Sequence, residues 1–211
     1  FTLLAVLIGG IAELVPTLVV DKAVPKTGAI ATPYRPLELH GRDIYVREGC
    51  YVCHSQMVRP FRSEKLRYGE PSTAGEFIYD HPFQWGSKRT GPDLHRVGGK
   101  YSNLWHFNHL MDPRAGGDGS NMPPYKFLAE RKIDVGDTAV KMAAMKTLGV
   151  PYSPVEISGG ARDAEEMGKA IAASVKADGN VDLAWDSEMT ALIAYLQRLG
   201  KHPAQPTAAG K

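Results

Sequence analysis

A chain that carries Cys50-Tyr51-Val52-Cys53-His54 has to fold around whatever those side chains hold. C-x-x-C-H is the pattern for covalent haem attachment, in which two thiols form thioethers with the porphyrin vinyl groups and the adjacent imidazole ligates the iron. On a helix, Cys50 and Cys53 lie three residues apart on one face, and His54, four residues from Cys50, shares that face. All three then reach one macrocycle. A zinc half-site would need further Cys or His pairs, and the chain has only 2 cysteines. A thioredoxin-like redox pair would leave the following histidine unexplained. The sequence therefore predicts one covalent haem c, with Cys50 and Cys53 as thioether donors and His54 as an axial iron ligand.

The 211 residues leave room for one medium-sized domain and an appendage, and 43% hydrophobic content is enough to build a core. A formal net charge of +2 gives no electrostatic footprint for nucleic acid. With both cysteines committed to the cofactor, no disulfide is left to report the redox compartment.

Residues 1–20 are almost wholly apolar (FTLLAVLIGGIAELVPTLVV). As a helix they would measure about 30 Å, one hydrocarbon thickness, which predicts a transmembrane anchor. A cleaved signal peptide is the competing reading, but no small-residue cleavage site closes the run before Asp21 and Lys22. The run opens on Phe, so a preceding segment with flanking charges is expected. Glu13 lies inside the run, either facing other protein or snorkelling to the interface. Gly9-Gly10 would let another helix approach closely. Residues 21–40, with Pro25, Pro33 and Pro36, predict a linker, and Gly41 to Gly49 a helix leading into the haem motif.

After His54 comes the most basic stretch of the chain. There Arg59, Arg62 and Arg67 are candidate partners for the haem propionates, the alternatives being a solvated face or a docking surface. The irregular tract from Tyr68 to Gly86 should be held by packing of Phe77, Tyr79, Phe83 and Trp85. Lys88 to Leu94 then contains Gly91-Pro92-Asp93-Leu94. G-P-x-L downstream of C-x-x-C-H resembles a class I cytochrome c. That resemblance implies that the Pro92 carbonyl accepts a hydrogen bond from His54, fixing its tautomer and raising its basicity.

Ser102 to Met111 predicts a short helix, followed by a glycine-rich loop that presents Met122-Pro123-Pro124-Tyr125. In the class I family a methionine in an M-P-x-Y context is the sixth ligand, which implies that role for Met122. Such six-coordination suits electron transfer at a raised potential. The alternatives are a core methionine, or ligation by His81, His95, His106 or His109.

Residues from about 126 to 182 exceed what a minimal cytochrome needs. They predict two helices, about 138–148 and 163–176, the second with Met167, Ile171 and Val175 on one stripe. These fit structural packing better than cofactor sites, Met142 and Met145 included, and a docking surface is the other reading. The last helix is expected from Asp186 as cap, through Met189, Ile193, Leu196 and Leu199, to Gly200, and the class I resemblance implies that it crosses the helix that precedes the haem motif. Residues 201–211 predict a frayed tail.

The run Tyr45–Cys50, Ser55-Gln56-Met57, Arg59-Pro60, Arg67-Tyr68-Gly69-Glu70, Ala74-Gly75-Glu76, Tyr79-Asp80, Pro82-Phe83 and Trp85 to Leu94 resembles the monohaem cytochrome c subunit of bacterial cbb3-type cytochrome c oxidases. The resemblance extends over nearly all of residues 1–200 and is weakest in the insertion after Tyr125. It implies an all-α class I cytochrome domain (41–200) with extended loops and a helical insertion, on one N-terminal transmembrane helix. The haem would face the periplasm from the bacterial inner membrane, clamped to a catalytic haem–copper subunit. Electrons would enter from a dihaem cytochrome subunit and leave to a b-type haem, with oxygen reduction and proton pumping in the partner. Membrane lipid is a further expected partner, and nucleic acid is not one. The alternatives are the cytochrome subunit of a nitric oxide reductase, which the long tract from Arg59 to Gly86 disfavours, and a free anchored shuttle. A gas sensor or peroxidase would need an open distal position.

Overall fold

In a computed structural model, residues 1–23, 31–116 and 119–201 are described, with backbone only at 17 and 20–23. The linker segment 24–30, Gly117 and Asp118 of the glycine-rich loop, and the tail from 202 onward lie outside the described residues. In chain order the helices are α1 (Thr2–Ala23), α2 (Pro36–Arg47), α3 (Arg62–Tyr68), α4 (Asn103–Met111), α5 (Phe127–Glu130), α6 (Thr138–Thr147), α7 (Pro154–Gly179) and α8 (Glu188–Arg198). Among the described residues there is no β-strand, only an isolated bridge between Lys132 and Ser187. The all-α expectation is met.

The apolar N-terminal run is helical, and its large side chains, Leu3, Leu7, Ile11, Leu14 and Leu18 among them, are exposed. With the side chains at 17 and 20–23 outside the described set, no helix among the described residues is long and apolar enough to cross a membrane.

The haem-motif helix starts earlier than expected, so residues 36–40, assigned to the linker, belong to α2. Pro36 occupies the first helical turn, where a missing N–H costs nothing. The Glu38 carboxylate accepts from the Arg35 amide at 2.8 Å, closing the helix entrance. At the far end Ser187, and not Asp186, caps α8, its hydroxyl accepting from the Thr190 amide at 3.1 Å. The cap falls there because the Asp186 carbonyl is taken by the Ile133 amide at 2.9 Å.

The expected crossing of α2 by α8 forms the centre of the domain. Leu37, Ile44 and Tyr45 of α2 and Ala191, Leu192, Tyr195 and Leu196 of α8 are buried in one core. The helices touch at Gly41, where a β-carbon would lie 1.9 Å from the Ala191 carbonyl oxygen. Arg47 clamps the end of the crossing with a bond to Glu188 at 2.7 Å.

The insertion packs onto this pair. α6 matches its expected bounds, and Met142 and Met145 are buried with Leu39, Val150 and Tyr152, remote from the haem motif. α7 begins nine residues before the expected start because Ser153 and Glu156 form a capping box around Pro154. Its inner stripe is Gly160, Ala164, Gly168, Ile171 and Val175. Met167 is only partly buried, and the small residues let α7 lie close to its neighbours.

The long tract after His54 is held by aromatic contacts as expected, and by buried ion pairs the sequence did not announce. Phe83 stacks on Trp85 at 4.6 Å, and Phe77 on His95 at 4.6 Å. Asp80 accepts from Arg42 of α2 at 3.1 Å and from Tyr34 at 2.8 Å. Glu64 is the hub of α3, accepting from Arg89 at 2.8 and 2.9 Å and from the Arg59 amide at 2.8 Å. Burial pushes its carboxyl up, but the bonds from Arg89 and Arg59 outweigh burial and hold it at about 2.

Two outcomes test this account. Gly41→Ala should destabilise the domain by about 3 kcal/mol, because backbone opposes the added methyl, read as a lowered denaturant midpoint. Since the folded Glu64 pKa of about 2 lies below the ordinary 4.5, its contribution is full above that ordinary value and disappears as pH falls from 4.5 towards 2. Denaturation profiles of Glu64→Gln and the parent should therefore converge at the acid end and separate near neutrality. Parallel profiles would refute the hub.

Candidate haem site

The motif does not sit on an α-helix as expected. α2 ends at Arg47, Gly49 turns the chain with φ of 70°, and Cys50–Val52 form a single 3-10 turn. The expected clustering survives, because the amides of Cys53 and His54 both bond the Cys50 carbonyl, at 3.1 and 2.9 Å. Cys50 is half-buried and Cys53 exposed, and the two form no disulfide. Burial first, then the charge of Glu48, push the Cys50 thiol up to about 12.

Residues 91–95 are strapped across this turn. The Gly91 amide donates to the Cys53 carbonyl at 2.9 Å, and the Leu94 amide to the Ser55 carbonyl at 2.8 Å. Asp93 is buried and acts as the buckle, accepting from the Ser55 hydroxyl at 2.8 Å, the Met57 amide at 2.7 Å and the His95 amide at 2.9 Å. Fixed in this way, the Pro92 carbonyl stands 2.8 Å from His54 Nδ1. A carbonyl can only accept, so Nδ1 carries the proton and Nε2 keeps its lone pair. Burial lowers the pKa of His54 and keeps the ring neutral, opposed by the Pro92 bond. Gly91 is packed against the imidazole so closely that a β-carbon there would lie 2.2 Å from Cε1.

Cys50, Cys53, His54, Pro92 and Met122 all line one cavity of about 510 Å³, within the usual range of about 300–1,000 Å³ for cofactor sites. Met122 is half-buried against the core, on a loop anchored by the Tyr125 amide bonding Leu110 of α4 at 2.8 Å. Among the described residues no three His, Cys, Asp or Glu side chains converge as a metal-holding group. The donors at the cavity are a thiol pair, an imidazole with an oriented free nitrogen, and a thioether. That set, in a largely apolar cavity, fits a haem: the thiols would anchor it, and His54 Nε2 and the Met122 sulfur would ligate its iron. Such a group supplies one-electron chemistry.

The competing histidines separate. His95 is engaged by Glu76 at 3.2 Å and stacked on Phe77, whereas His106 and His109 of α4 are in the cavity wall. The three arginines expected at the propionates do not line the cavity. Arg59 is drawn to Glu64, Arg67 lies over the Tyr68 ring at 5.1 Å, and Arg62 begins α3 on the exposed surface. Arg96 and Lys100 line it instead. Sequence reading passed over them, and over Asp93, because nothing in their spacing marks them.

The family model described as "Cytochrome C oxidase, mono-heme subunit/FixO" matches residues 1–202 of the chain. No curated protein matches it.

Met122→Ala should abolish the sulfur-to-iron charge-transfer band of the oxidised protein and lower its midpoint potential by at least about 59 mV, a tenfold change for one electron. A retained band would place the sulfur ligand at another methionine and overturn the assignment of Met122.

Proposed function

Because the chain belongs to the family of cytochrome c oxidase mono-haem subunits, we propose that it is the electron-transfer subunit of a respiratory cbb3-type haem–copper oxygen reductase. It carries one covalent haem c, with thioethers to Cys50 and Cys53 and axial bonds from His54 and Met122. Electrons arrive from a dihaem cytochrome subunit and pass to the b-type haem of the catalytic subunit, where oxygen is reduced. The observation that carries the reading is the convergence of Cys50, Cys53, His54, Pro92 and Met122 on one cavity in a chain of this family.

Each residue has a part that needs no substrate pocket. Two thioethers keep the group on the chain through every turnover. The Pro92 carbonyl holds the His54 ring with Nε2 forward, so the ligand does not reorient when the charge on the iron changes. The Met122 thioether, as an iron ligand, would favour the reduced state relative to a second imidazole. With His54 and Met122 both ligating the iron, no position would be left for oxygen.

We read α1 as a single-pass anchor in the bacterial inner membrane with the haem domain on the periplasmic side. What supports this is the apolar run of residues 1–20 and the exposed leucines, isoleucines and valines of α1. Such a surface needs lipid or another membrane helix to cover it. The domain behind it has the order of a class I cytochrome, with α2 before the haem motif, α8 crossing it, and a helical insertion between.

Native membranes solubilised gently and fractionated on this chain should yield b-type haem and copper in step with haem c, together with cyanide-sensitive oxygen uptake from a reduced cytochrome donor. Haem c alone, under conditions that keep such complexes whole, would instead make the protein a free anchored shuttle.

A further inference from the structure

The cavity has a wall that neither the thiol pair nor the axial candidates use. It is formed by Lys100, Tyr101 and the first turns of α4. His106 stands in that wall at 3% exposure, and its buried Nε2 has no hydrogen-bond partner among the described residues. A buried polar atom without a partner is rare and calls for one. The ring is held edge-on by two aromatic neighbours, Trp105 at 5.3 Å and 85° and Tyr101 at 6.1 Å and 88°. Lys100 lies on the same wall with its ammonium 5.7 Å from the Tyr101 ring centre and no carboxylate partner among the described residues. The other lining cation, Arg96, is already neutralised by Glu76 at 2.9 Å and tied to the Glu70 and Pro71 carbonyls.

The chemistry of a haem says what such a wall would receive. Thioethers would fix its vinyl edge at Cys50 and Cys53, which would leave its two propionates for residues away from the thiol pair. These carboxylates need a cation and a hydrogen-bond donor. Resting on the haem reading above, we propose that this wall holds the haem propionates, His106 donating its Nε2–H to a carboxylate oxygen and Lys100 supplying the positive charge. Burial, and secondarily the neighbouring His109, hold His106 at about 4, so its imidazole is neutral and the charge falls to Lys100. His106 and Lys100 are positioning residues that tune the haem without ligating its iron. A carboxylate deprived of its donor exposes the iron to more negative charge, which favours the ferric state.

The test uses the full-length holoprotein purified from membranes. His106→Leu should shift the reduction equilibrium about three- to tenfold towards the ferric form, move the propionate-bending band in resonance Raman spectra, and leave the sulfur-to-iron band intact. His106→Gln, which keeps a donor, should restore most of the shift. Lys100→Met should move the equilibrium in the same direction, and Arg62→Met and Arg67→Met should leave it unchanged. If the holoprotein carries covalent haem and His106→Leu alters neither midpoint nor Raman band, this proposal falls and the haem assignment stands. Loss of the sulfur-to-iron band in His106→Leu would overturn it as well. Absence of covalent haem from the parent protein would sink the assignment and this proposal with it. Should His106→Leu fail to accumulate, ¹⁵N-histidine spectra of the reduced parent decide the matter. A slowly exchanging His106 Nε2–H is the expected result, and rapid exchange overturns the proposal.

Discussion

Everything the candidate site can do depends on one hydrogen bond, between His54 Nδ1 and the carbonyl of Pro92, across a sequence separation of 38 residues. An imidazole rotates freely about two torsions unless something takes its other nitrogen. Here the acceptor is backbone and cannot swing away. The Asp93 carboxylate collects donors from residues 55, 57 and 95 and so holds the two segments in register. Gly91 lets the strap approach to van der Waals contact with the ring.

The scaffold beneath the strap is the crossing of α2 and α8, the first leading into the motif and the second closing the chain over it. Tyr195 of α8 joins both layers: its ring packs on Tyr45 at 5.3 Å and its hydroxyl accepts from Gln56, just beyond the motif, at 3.0 Å. The insertion adds no donor to the cavity. It packs on α2, α4 and α8, with Met142 and Met145 in a separate apolar cluster and Met167 against the main core. Structural packing therefore accounts for the buried faces of α6 and α7.

Local signals were legible where they are strong and short-range. The bounds of α4, α6 and the end of α8 follow from caps, glycines and apolar periodicity. The starts of α2 and α7 were missed for one reason. Each opens on a proline in the first turn with a glutamate two residues later reaching back to the cap, a pattern easily mistaken for the end of a linker. The cap of α8 was displaced by one residue because a tertiary hydrogen bond claimed the Asp186 carbonyl.

The sequence by itself determined the chemistry. Cys50, Cys53 and His54 are adjacent, so their collective meaning is set by covalent spacing alone, and the family follows from the long run of matching residues around them. Only the tertiary structure decided which distant groups surround that chemistry. Glu64 receives Arg89 across 25 residues and Asp80 receives Arg42 across 38. Lys100 lines the cavity from the turn before α4, and His106 from α4 itself. Charge partners across tens of residues are chosen by which backbone segments meet, and no local pattern in the chain records that choice.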